Sequence, residues 1–188
     1  PTHMPDHIKM NIVTWSPEQT QKKQKELDTL KQVTEDLQIF LMNVEALSTK
    51  RGLEQADKFL FTHRAMLAVD ESTTIKSRTA QRTKNLIKLG KNAPYRRILT
   101  GSPVTKSPLD LFTQCEFLEH YVLGQGSFWT FQNRYAKMVR RTMGAHSFNQ
   151  IVGYQNLDEL NGIIEPFSFR VRKEECLDLP DKVYTRRT

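Results

Sequence analysis

The run Met66-Leu-Ala-Val-Asp70-Glu71 constrains this chain more than any other stretch, because a strand-length apolar segment ends abruptly in two carboxylates. Further on, residues 95–99 repeat the device with Thr100-Gly101-Ser102-Pro103 at their end. The segment between is basic, helix-like and closed by Gly90. A strand delivering acids at its carboxyl end, a crossover helix and a second strand delivering small polar groups describe an open α/β sheet with a site along one edge. With 188 residues and 38% hydrophobic content, the chain has enough apolar material for one packed domain.

The flanking sequence extends the alternation of strands and helices. Ile8, Met10 and Ile12 alternate toward Trp15 and predict a strand; Trp15 reads as a packing anchor. Ser16-Pro17 with Gln19 three residues past the cap predicts a helix start. The narrow stripe Leu27, Leu30 and Val33 then predicts a surface helix. Residues 38–44 form the continuous apolar run expected of a strand covered on both faces. A short helix is expected over residues 53–61, a strand over 65–69, and a helix over 77–89 with Gly90 as its cap. After Ser107-Pro108 a helix carries Leu109, Leu111, Phe112, Cys115, Phe117 and Leu118. Gly124 and Gly126 break the chain before an aromatic segment over residues 128–138, whose helical spacing marks Phe128, Trp129, Phe131 and Tyr135 as core more than as a base-stacking platform. Residues 150–156 show no decisive pattern, a helix is expected over 157–164, and a final strand over 166–171.

Charge narrows the partners. The net charge is +7, and residues 72–109 contain no Asp or Glu while carrying Lys76, Arg78, Arg82, Lys84, Lys88, Lys91, Arg96, Arg97 and Lys106. Such a surface suits a polyanion, and its bland counterpart is a solvated helix face. Cys115 and Cys176 have no ligand-like spacing, so neither a zinc site nor a disulfide framework is expected, and a reducing compartment fits. The lone histidines His63, His120 and His146 form no triad or ligand pattern. No apolar run approaches the roughly 20 residues that span a bilayer, and the polar first residues do not read as a signal peptide. A cytoplasmic location, or a nuclear one in a eukaryote, is expected.

Asp70-Glu71, followed at this distance by Leu99-Thr100-Gly101-Ser102-Pro103, resembles motifs II and III of superfamily-two helicases and translocases. Residues 103–118, with leucine, aromatic and Phe-Leu positions along a helix, resemble the segment after motif III in Swi/Snf-type ATPases. Leu157-Asp-Glu-Leu160, Pro166-Phe-Ser-Phe-Arg170, Lys173 and Leu179-Pro-Asp-Lys182 resemble the end of that family's first lobe. Ile39 to Glu45 stands where the family has motif Ib, a DNA-backbone contact. The resemblance implies an α/β fold: a partial RecA-like lobe, with a mainly parallel central sheet, over residues 1–165, then the start of a linker over 166–188. It implies ATP and Mg²⁺ as cofactors, with Asp70 holding Mg²⁺ through water and Glu71 orienting the water that attacks the γ-phosphate. Thr100, Gly101 and Ser102 would transmit the nucleotide state; the plainer alternative is an ordinary strand-to-helix turn, in which Gly101 permits unusual backbone angles and Pro103 starts the exit. Double-stranded DNA is the implied partner, with contacts at Asn43, Lys50, Arg51, Lys76, Arg78, Arg82 and Lys106.

The departures matter as well. Ser72-Thr73 replaces the small residue and His common in motif II, which puts His-mediated coupling to motif III in doubt. Ser102 stands where Thr is usual, and Lys106 near a common Gln-Asn pair; such divergence suggests a phage or bacterial branch. Nothing matches G-x-x-x-x-G-K-[ST], and the eight glycines never take that spacing. The expectation is therefore the second part of lobe one, lacking its phosphate loop and second lobe, inactive alone and prone to self-association through an uncovered sheet edge. The rivals are the motor subunit of a restriction-type system and a non-catalytic basic DNA-binding or interaction module.

Overall fold

The computed structural model describes residues 5, 7–18 and 20–171, so the expectations for Gln19, Lys173, Cys176 and residues 179–182 lie outside it. The chain divides into two compact units, one through Gln155 and one from Asn156.

Strand β1 (Met10–Thr14) pairs in parallel with β2 (Leu37–Leu41), Met10 opposite Leu37. The inward residue of β1 is Val13, not Ile12, which is 41% exposed. Two adjacent apolar residues make the phase of an alternation ambiguous, and packing chose the other one. Helix α1 (Gln21–Thr29) starts later than expected: the Thr20 hydroxyl accepts from the Lys23 amide, while Ser16 Oγ closes a turn by accepting from the Glu18 amide. Leu27 and Leu30 are buried, but Val33 lies past the helix, exposed.

Helix α2 (Lys50–Thr62) opens at Thr49, whose hydroxyl accepts from the Gly52 amide. It joins two clusters of buried side chains. Phe59 packs with Phe40 on Val13, Leu27 and Leu30, whereas Leu60 belongs with Leu47, Val69, Ile75, Leu86, Leu89 and Phe117. Strand β3 (Met66–Val69) pairs in parallel with β4 (Tyr95–Ile98), Val69 opposite Ile98, across α3 (Gln81–Gly90). The β-α-β unit is thus as predicted. The single central sheet is not: among the described residues the parallel strands form two separate pairs, held together by side-chain packing through α2 rather than by one ladder. The strands also cover only one face each, since Leu37, Leu41, Met66 and Tyr95 are all exposed. Gly90 is not a left-handed cap; the positive-φ glycines are Gly124 and Gly144. Its smallness instead admits Phe117 and Arg96, which a Cβ would meet at 3.3 Å.

Ser107 caps the 3-10 turn Pro108–Asp110, which leads into α4 (Leu111–Leu118), almost wholly buried. Helix α5 (Phe128–Tyr135) begins at a reciprocal Ser127–Thr130 cap and buries Phe131 and Tyr135 completely. It ends three residues earlier than expected because the chain turns into a hairpin of β5 (Ala136–Met143) and β6 (His146–Tyr154), reversed at Gly144, where φ is +61°. The second unit contains α6 (Leu157–Ile164) and the turn Glu165–Phe167. Residues 168–171 form no strand, and Phe169 is exposed. Pro166 offers no amide to a ladder, and no partner strand pairs there among the described residues. Among those residues no helix is long and apolar enough to cross a membrane.

Candidate functional site

The carboxyl ends of β3 and β4 lie side by side, because pairing continues past the strands: the Leu99 amide donates to Val69 O and the Ser72 amide to Leu99 O. Asp70 and Glu71 sit at this junction, both exposed. Glu71 adopts φ 47°, ψ 59°, the left-handed region that costs a non-glycine residue free energy. The Glu71 amide is held by Asp70 Oδ1 at 2.9 Å, while Asp70 Oδ2 has no hydrogen-bond partner among the described residues. The strained turn presents the two carboxylates in succession and then drops Ser72 into the interior. Backbone strain of this kind gathers at functional sites, and it falls on Glu71 rather than on Gly101, which is not among the positive-φ residues.

The donor set suits a hard divalent cation. Mg²⁺ is commonly held by one or two carboxylates, with waters and phosphate oxygens completing its shell. Among the described residues no cluster of three or more His, Cys, Asp or Glu is placed to hold a metal, so an ion here would draw most of its shell from water and phosphate.

Behind the carboxylates lies a link that sequence reasoning missed. Ser72, fully buried, donates from Oγ to Gln114 Oε1 at 2.6 Å. Gln114 on α4, also fully buried, donates from Nε2 to Pro103 O and to Asp110 O, each at 2.8 Å. One amide therefore ties the turn after Asp70-Glu71 to the loop after Thr100-Gly101-Ser102. A glutamine set among the buried positions of α4, between Phe112 and Phe117, was the available signal. Within that loop Thr100 Oγ1 accepts from the Ser102 amide and Ser102 Oγ donates to Val104 O. Lys76 Nζ donates to Thr105 Oγ1, and Thr105 Oγ1 donates in turn to Asp110 Oδ2. Burial pushes the Asp110 carboxyl up, but the Lys106 amide, the Thr105 hydroxyl and amide and the Ser107 amide outweigh it and hold the group below its ordinary range. Burial alone pushes the neighbouring Cys115 thiol up to about 12, so it is inert at neutral pH.

The predicted DNA-contact residues are scattered in role. Arg82 donates to Thr74 O and Glu45 Oε2, clamping the turn Ser72–Ile75 to the start of the short helix Val44–Ser48. Arg78 lies over both Phe128 and Trp129, 4.8 and 4.6 Å from their ring centres. Arg51 donates to Pro17 O, and Asn43 caps Val44–Ser48 by accepting from the Glu45 amide. Lys50 is exposed, 4.0 Å from Glu54, and Lys106 is exposed beside the loop. Lys84, Lys88 and Lys91 are exposed on and just past α3. Of the histidines, His63 bonds Leu30 O and His120 pairs with Glu116.

Comparison with known proteins follows the same line. The sequence profile of the SNF2-related domain matches residues 3–187. Over 123 residues the chain is 34% identical to the DNA annealing helicase and endonuclease ZRANB3 of Bos taurus, covering 64% of this chain and 11% of that protein. It is 33% identical over 118 residues to the TATA-binding protein-associated factor MOT1 of Saccharomyces cerevisiae, covering 61% and 6%. It is 29% identical over 160 residues to the SWI/SNF-related matrix-associated actin-dependent regulator of chromatin subfamily A-like protein 1 homolog of Caenorhabditis elegans, covering 84% and 22%. The chain thus spans from 6% to 22% of the length of these relatives. All three are eukaryotic and lend no support to a phage or bacterial origin. The profile spans nearly the whole chain: it belongs to the SNF2-related domain family, the Swi/Snf-type helicases and translocases that its two strand-end motifs resemble.

Proposed function

We propose that this chain is part of the first, RecA-like lobe of an ATP-dependent translocase acting on double-stranded DNA. The observation that carries the reading is the turn after β3: two adjacent exposed carboxylates on strained backbone, locked to the next strand end through Ser72 and Gln114. Asp70 would hold Mg²⁺ through water, and bound Mg-ATP would supply the phosphoryl group to be transferred. Glu71 would orient the attacking water. Thr100, Gly101 and Ser102 would pass the nucleotide state onward, with Gln114 linking the two motifs in place of the absent histidine. The exposed basic residues, foremost Lys106 with Lys84, Lys88 and Lys91, suit contact with the phosphate backbone. Arg78 and Arg82 are better placed to brace that surface than to touch DNA. The eukaryotic relatives favour a nuclear site of action.

The test is Glu71→Gln in the longer protein that supplies a phosphate-binding loop and a second lobe. We expect DNA-stimulated ATP hydrolysis to fall at least about 100-fold, as when a group acting on the transition state is removed, while ATP binding persists. Hydrolysis within a few-fold of wild type would refute the assignment.

A further inference from the structure

The hairpin of β5 and β6 takes no part in the site described above. Every residue over 139–150 is exposed, on both faces of the ribbon. An eight-residue strand spans roughly 27 Å at about 3.4 Å per residue, and a lone two-stranded ribbon is marginal in water. This one also displays Val139, Met143, Phe148 and Val152 to solvent.

Charge indicates what covers it. Between Glu119 and Asp158 there is no acidic residue, whereas Arg134, Lys137, Arg140 and Arg141 all fall there. The register sets Arg140 opposite Asn149 and Arg141 opposite Phe148. Successive residues of a strand face opposite sides, so the two guanidinium groups emerge from opposite faces of the ribbon. Arg141 Nε donates to Gln150 Oε1, which steadies the side chain and leaves its terminal nitrogens for an anion. A flat acidic protein surface would meet only one of these faces. A slot walled by phosphates on both sides meets both, and the major groove of B-DNA, about 12 Å wide, admits a two-stranded ribbon.

We infer that the β5–β6 hairpin enters a groove of duplex DNA, with Arg140 and Arg141 each reaching a phosphate of a different strand. The inference rests on the proposal of a DNA partner and is independent of ATP chemistry.

The test is fluorescence anisotropy of the chain against a labelled duplex of arbitrary sequence and a single strand of equal length, across a salt series. Each of Arg140→Ser and Arg141→Ser should weaken duplex binding and take about one unit from the slope of log affinity against log salt; the double variant should take about two. Single-strand affinity should move less, and Arg140→Lys with Arg141→Lys should restore the slope. Duplex binding that the double variant leaves unchanged overturns the hairpin contact while the DNA partner stands. Equal losses on both substrates overturn the groove placement. No duplex binding by the wild-type chain at low salt overturns both. If the double variant lacks the wild-type circular-dichroism spectrum, the same readings are taken on Arg140→Gln and Arg141→Gln singly.

Discussion

A few side chains with more than one partner fix the site. Asp110 receives the amides of Thr105 and Lys106 and the hydroxyl of Thr105 on a single oxygen, so its charge organises the loop after β4. Because the folded carboxyl ionises more readily than in the unfolded chain, its contribution is complete above the unfolded value of about 4 and is lost as pH falls through the folded value. Asp110→Asn should therefore cost about 1 kcal/mol at neutral pH, the usual worth of such bonds in a partly exposed site. The difference from wild type should begin to shrink as pH falls below about 4 and vanish only below the folded value. Urea unfolding at a series of pH values measures this, and a difference independent of pH would refute it. Gln114 shows the same economy on neutral groups: three hydrogen bonds from one amide satisfy Ser72 and hold two carbonyls.

Elements inherit their limits from such contacts. Helix α2 can lie against the short helix Val44–Ser48 because Gly52 has no Cβ; one placed there would sit 2.2 Å from Ala46 O. Gly52→Ala gains about 1 kcal/mol of helix propensity but must displace backbone, and the steric cost wins, for a net loss of about 2 kcal/mol. Gly162→Ala on α6 meets nothing within 4 Å and should stabilise by about 0.5–1 kcal/mol. Urea midpoints compare the two, and a tolerated Gly52→Ala would show that the close approach is dispensable. The β3-α3-β4 unit was legible because each piece has its own sequence signal: a short apolar run ending in two acids, a basic helical segment, and a stretch whose Ile98 and Leu99 lead into Thr100-Gly101-Ser102-Pro103. The hairpin was not legible, for β5 carries Arg140 and Arg141 amid apolar residues on two open faces and so lacks the alternation of a half-buried strand. Its only local signal was Gly144 in a two-residue turn. Asp70 and Glu71 could be read from their position at a strand end, but the Ser72–Gln114 link joins residues 42 apart in sequence and needs the fold to appear.

At the scale of the whole molecule, the parallel strand pairs determine how the isolated chain behaves. Each packs one face on helices and leaves the other open: Ile12, Leu37 and Leu41 on the first pair, Met66 and Tyr95 on the second, with Leu99 just beyond. The apolar surface these strands present, bordered by edges without ladder partners among the described residues, is the arrangement that other chains pair with or pack upon. The net charge of +7 opposes association at low salt, and added salt screens that repulsion while leaving apolar attraction in place. The 188-residue chain should therefore self-associate across the micromolar range, more strongly as salt rises, and bind a fluorescent apolar dye. Sedimentation velocity across concentration and salt decides the matter. A monomer at every salt concentration, with no dye binding, would refute the exposed-face argument. Association that weakened as salt rose would instead show that charge pairing, not the open sheet faces, brings the copies together.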